Sequence, residues 1–158
     1  MVSAICENVV AEIAGKGPPH GGAAAEAIER LLGDRYELIF ADADTAAIPA
    51  TIPESRREAV AFARDPAFVP RLLDVAQRRG VDVVVPGVDE ELQVLAEARD
   101  RFGSTRLLLP PAEFVATHLD KLSSMRALAA AGLSAPRTLP ITEASALPAP
   151  FIAKPRSG

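Results

Sequence analysis

The chain has 158 residues, 49% of them hydrophobic and 24% charged, which is enough for one ordinary domain with a buried core and a smaller appendage, and excludes wholesale disorder. A net charge of -4, with Arg residues scattered among acids, gives no electrostatic reason to expect a nucleic-acid partner. The single cysteine, Cys6, rules out an intrachain disulfide and a cysteine-rich zinc site, and neither a leader nor an apolar run of roughly 20 residues is visible; a cytoplasmic protein away from the membrane is expected.

Apolar runs alternate with amphipathic stretches in a βαβα rhythm, which predicts an α/β fold with a small, doubly wound, mainly parallel four-stranded sheet. The first strand is expected near Asn8 to Ile13, then a glycine-rich loop from Ala14 to Gly22, then a helix from Ala23 to Leu32 with Ala24, Ala27, Ile28, Leu31 and Leu32 on one face. A second strand spans Tyr36 to Ala41 and ends in Asp42-Ala43-Asp44. Pro49 and Pro53 break the stretch from Thr45 to Arg64, which reads as a long crossover loop.

Asp65-Pro66 predicts the start of a helix whose apolar positions are Phe68, Leu72, Leu73, Val75 and Ala76, closed by Gly80. Val81 to Val85, β-branched and bounded by Gly80 and Pro86-Gly87, predicts a strand buried on both faces. A helix from about Asp89 to Arg101 and a fourth strand from Arg106 to Leu109 complete the sheet. Beyond Pro111 come helices near Ala112 to Thr117 and Asp120 to Ala131, a Pro- and Ser-rich stretch from Gly132 to Pro150, and an apolar strand at Phe151 to Ala153. The domain boundary is expected near Pro110 to Asp120, giving domains 1–112 and 113–158.

The tail Lys154-Pro155-Arg156-Ser157-Gly158 places an ammonium at the end of a strand, beside the amides of a small-residue turn, a geometry suited to a polyphosphate; a plain surface loop is the competing reading. Asp120-Lys121 is by itself explained by helix N-capping. Together, Asp120-Lys121, the apolar helix through Met125 and Leu128, the Gly132-Leu133-Ser134-Ala135-Pro136 turn and the Ile152-Ala153-Lys154-Pro155 strand resemble the opening of an ATP-grasp domain. Phe68 to Gly80 and Val81 to Leu92 are similar to the Rossmann-like pre-ATP-grasp domain of carbamoyl-phosphate-synthase-like members, so the resemblance covers most of the chain.

That resemblance implies an ATP-dependent ligase that phosphorylates a small-molecule carboxylate and lets an amine or other nucleophile displace phosphate. It assigns Lys121 and Lys154 to ATP, with Ser157 and Gly158 opening the phosphate-covering loop, and it implies Mg²⁺ held by residues downstream of Gly158. On this reading the 158 residues alone are an N-terminal fragment expected not to turn over ATP, with a poorly anchored tail from Gly132 to Gly158. No metal ligand and no nucleophilic triad can be named, and the oligomeric state is open.

Asp89 and Glu90 lie just past the carboxyl end of a predicted strand, where open α/β sheets bind ligands, and are candidate substrate contacts; helix-start chemistry is the plainer account, and Glu91 is expected to face solvent. Gly15, Gly17 and Gly21 miss the dinucleotide spacing, although Asp42 and Asp44 occupy its ribose position, so the first domain of an NAD(P)-dependent oxidoreductase or epimerase is the alternative. A stand-alone nucleotide-binding module is a third possibility. His20 and His118 lack patterned partners and Cys6 reads as a small apolar residue.

Overall fold

The structure, a computed structural model, describes residues 8–12 and 20–157. Two compact units divide the chain, residues 1–109 and 110–158. In the first, the described elements are β1 (Asn8–Glu12), α1 (His20–Leu32), β2 (Glu37–Asp42), β3 (Arg57–Ala59), α2 (Phe68–Arg79), β4 (Val83–Val85), α3 (Asp89–Ala98) and β5 (Arg106–Leu107).

All strand pairs are parallel and form one five-stranded sheet in the order β3-β2-β1-β4-β5. The expected four-stranded sheet is therefore corrected to five. The missed strand, β3, carries Arg57-Glu58-Ala59 and no apolar alternation; it forms because Phe40, Ala41 and Asp42 of β2 offer it a register. Arg57 then fastens the preceding loop, donating from Nε to the Ile52 carbonyl at 2.8 Å and from Nη2 to that of Pro49 at 3.1 Å.

β2 shows why the sheet is covered on both faces. Ile39 and Ala41 pack into a core with Phe68, Leu72 and Val75 of α2, Val84 of β4 and Leu95 of α3. Leu38 and Phe40 face the opposite way, onto Ile48 and Ile52, with Ile28 and Leu32 of α1 against them. Strand periodicity of two places alternate residues in different cores, and burying each large side chain contributes roughly 1.5–3 kcal/mol. β4 follows the same rule, with Val84 in the first core and Val83 and Val85 beside the second.

Several boundaries shift for local reasons. α1 begins at His20, so the expected loop ends earlier, and Leu31, expected on the buried face, is 70% exposed. α2 begins at Phe68 because Asp65 closes a turn ahead of it, its Oδ1 accepting the Ala67 amide at 2.8 Å. Beyond Ala98, Arg99–Phe102 tightens into a 3₁₀ turn. Gly80 ends α2 with φ 61, the left-handed region that strains a side chain. Gly80→Ala is expected to cost about 1 kcal/mol, read as a lower denaturation midpoint; an unchanged midpoint would contradict this.

The second unit holds α4 (Ala112–His118), α5 (Lys121–Ala130) and a 3₁₀ turn at Ile141–Ala146. Among its described residues no strand forms. The expected strand at Phe151 to Ala153 is instead unpaired, with Ile152 82% exposed. Cys6, Ile13, Gly15, Gly17 and Gly158 lie outside the described residues.

Candidate functional site

At the carboxyl edge of the sheet, β4 passes through Pro86-Gly87-Val88 into α3. Val88, extended at φ -136 and ψ 156, holds the N-cap position but has no side-chain acceptor for the helix amides. Glu91, on the first turn, folds back instead. Its Oε2 accepts the Gly87 amide at 2.9 Å and the Val88 amide at 3.4 Å. This is the acidic half of a capping box, and it draws the carboxyl group inside.

Glu91 is consequently 0% exposed, which overturns the expectation that it faces solvent. Its Oε1 is buried without a hydrogen-bond partner among the described residues. Burial pushes the Glu91 pKa up to about 7; the two loop amides oppose the shift, while the charges of Asp42 and Glu90 reinforce it. Asp42, at the end of β2, is 5% exposed, and burial raises its pKa too, against the Asp44 amide, which donates to Asp42 Oδ1 at 2.8 Å. A solvated strand end does not describe Asp42. Asp44 Oδ1 accepts the Ala46 amide and caps the turn at Thr45–Ala47.

The two expected substrate contacts sit further out. Asp89 is exposed, and Glu90 is half-buried with Arg64 at 3.9 Å. The residue that the edge encloses is their neighbour, Glu91. Its signal was present in the sequence as Glu three positions after the last extended residue, the back-reaching place of a capping box, but reading the three acids only as helix-start charge hides it.

In the second unit, Asp120 N-caps α5, its Oδ1 accepting the Ser123 amide at 2.9 Å. The Arg156 guanidinium pairs with Asp120 Oδ2, and the Lys121 amide donates to the Arg156 carbonyl at 2.8 Å. The Ser123 amide first, then Arg156, hold the Asp120 pKa below the usual carboxylate range. The segment bearing Lys154 is thus joined to the start of α5 through Arg156, two residues on. Lys121 is half-buried; Lys154 and Ser157 are exposed. The tail is anchored at Arg156, more than the sequence implied, while Phe151 and Ile152 remain exposed.

His118, expected to lack a partner, has its Nδ1 2.8 Å from Ser124 Oγ and its ring beside Phe114, with centroids 4.1 Å apart. Asp120→Ala removes the partner of Arg156 and is expected to speed trypsin cleavage after Arg156. An unchanged cleavage rate would show that the ion pair does not hold the tail.

Among the described residues no three His, Cys, Asp or Glu side chains converge on a metal position, and no helix is long and apolar enough to cross a membrane. No protein-family model matches the chain, and no curated protein matches it either.

Proposed function

We propose that this chain carries the pre-ATP-grasp domain and the opening of the ATP-grasp domain of an ATP-dependent carboxylate–amine ligase. The observation that carries the reading is the bond from the Lys121 amide to the Arg156 carbonyl, which ties the segment bearing Lys154 to the start of the helix that Lys121 opens. Ammonium groups on the two joined segments suit a triphosphate, since they make strong charge-assisted bonds to phosphate oxygens, while the Arg156 guanidinium is paired with Asp120. The strand order β3-β2-β1-β4-β5 is also that of Rossmann-like, doubly wound nucleotide-binding sheets, and supports the same reading.

In this chemistry a carboxylate oxygen attacks the γ-phosphorus as the bond to the β,γ-bridging oxygen breaks and ADP leaves. An amine then attacks the acyl carbon, phosphate departs and the amine nitrogen loses a proton. The chain's part is to hold and orient ATP: Lys121 and Lys154 offset phosphate charge, and positioning supplies much of the rate. Mg²⁺ is expected with ATP by the same resemblance, and among the described residues no group of three His, Cys, Asp or Glu side chains is placed to hold it.

A second reading has one observation in its favour: Asp42 ends β2 in a sheet of this order, the ribose-binding place of a dinucleotide fold. Its burial and the Asp44 amide already on Oδ1 leave it less available to a diol. The test is the complete gene product with ATP, a panel of carboxylates and hydroxylamine, which traps acyl phosphates as hydroxamates. ATP-dependent hydroxamate and ADP formation is expected. NAD(P) binding abolished by Asp42→Ala, with no response to ATP, would overturn the ligase reading.

A further inference from the structure

We infer that the ion pair between Asp120 and Arg156 is a latch on the proposed nucleotide site. In the free protein it withholds the Arg156 guanidinium, and a bound polyphosphate draws that guanidinium away from Asp120. The inference rests on the ATP reading, in which Lys121 and Lys154 bring the anion in, and adds a third cation whose availability depends on the ligand. Arg156 meets the start of α5 through two chemically different contacts. Its guanidinium pairs with Asp120 Oδ2, and its carbonyl accepts the Lys121 amide at 2.8 Å.

These two contacts are separable. The carbonyl bond involves backbone atoms alone, so it keeps the segment against α5 while the side chain changes partner. The Arg156 side chain is 64% exposed, and moving it opens no core. Asp120 is equally prepared for the exchange. Its Oδ1 stays on the Ser123 amide at 2.9 Å, a capping role that does not need the arginine. Its side chain is 28% exposed, so water can replace the guanidinium on Oδ2.

The class of ligand that opens the latch follows from what it must outcompete. An ion pair this open to solvent holds weakly, because water and salt screen the charges and two long side chains lose freedom in making it. A polyphosphate offers several negative charges and pairs of oxygens that match the guanidinium fork. Asp120 offers one charge and one oxygen, its other being engaged by the helix. A singly charged anion such as chloride has no such advantage and leaves the latch closed. Until it is released, the Asp120 carboxylate also opposes an anion approaching its neighbour Lys121.

The experiment is a calorimetric titration of inorganic tripolyphosphate, at constant ionic strength, into the complete gene product and its Asp120→Asn, Arg156→Gln and doubly substituted forms. Asp120→Asn keeps an oxygen for the Ser123 amide and removes the competing charge. It is expected to bind about three- to fivefold more tightly than the parent, and Arg156→Gln about fivefold more weakly. In the double variant the gain is expected to vanish, because it acts through Arg156. A gain that persists in full without Arg156 would reduce the effect to general charge removal and overturn the latch, as would unchanged or weaker binding in Asp120→Asn. Should that variant unfold, the Arg156 Nε–H resonance of the unmodified protein gives a second readout. Tripolyphosphate is expected to shift it saturably and chloride is not, while the Lys121 amide stays protected from exchange; a static resonance or an equal response to chloride would overturn the inference. Weaker binding in Lys154→Met with none of these effects overturns the latch alone, whereas no tripolyphosphate binding in any form overturns the nucleotide reading with it.

Discussion

Glu91→Gln is expected to stabilise the protein at about pH 8 by about 3 kcal/mol and to remove most of its stability change between pH 4.5 and about 7. In the unfolded chain Glu91 titrates near its ordinary value of 4.5, whereas burial in the fold lifts it to about 7. Across that window the folded state keeps a proton that the unfolded chain has released. The stability is therefore whole below pH 4.5 and declines as pH rises through about 7, by about 1.4 kcal/mol for each pKa unit. Asp42, also raised by burial, adds to the same slope. The glutamine retains a carbonyl oxygen for the Gly87 amide while removing the buried charge, so its advantage is confined to high pH. Thermal denaturation of the two proteins at about pH 5 and about pH 8 reads this directly. A variant less stable than the parent at the higher pH would mean that Glu91 is charged and satisfied in the fold.

Lys154→Met in the complete gene product is expected to lower kcat/KM for ATP on the order of 100-fold, with a smaller loss for Lys121→Met. Lys154 is exposed and carried by a segment whose nearest anchor is Arg156, so the substitution removes a charge without opening a core. Lys121 begins α5 and is half-buried, and its backbone amide, which a methionine keeps, makes the bond to Arg156. If both ammonium groups meet one triphosphate, the losses will not add, because neighbouring sites that share a partner couple. Steady-state ADP release across the two single variants and the double variant measures this. Additive, severalfold losses would place the lysines on separate surfaces.

How far the sequence carried this reading depends on whether each feature is local. Val83–Val85 was legible because a β-branched run between Gly80 and Pro86 has few alternatives to a buried strand. Phe68, Leu72, Val75 and Ala76 were legible as a core face through helical spacing, and all four are buried. Arg57–Ala59 was not, since nothing in those residues encodes a strand; the pairing comes from β2. Leu31 was misplaced because the α1 stripe that packs is narrower than its apolar pattern. In the candidate sites, Lys121 and Lys154 were named from motif order, but the Arg156 bridge joins positions far apart in sequence and cannot be read locally. Glu91 was missed because its burial is decided by a valine that cannot cap, followed by an enclosing tertiary fold.

The central claim, that Lys121 and Lys154 belong to one ATP site, is tested most directly by calorimetric titration of ATP into the complete gene product and its Lys121→Met and Lys154→Met variants. Saturable ATP binding, weakened at least about tenfold in each variant and with no response to NAD or NADP, is the predicted result. Unchanged ATP affinity in both variants would contradict it.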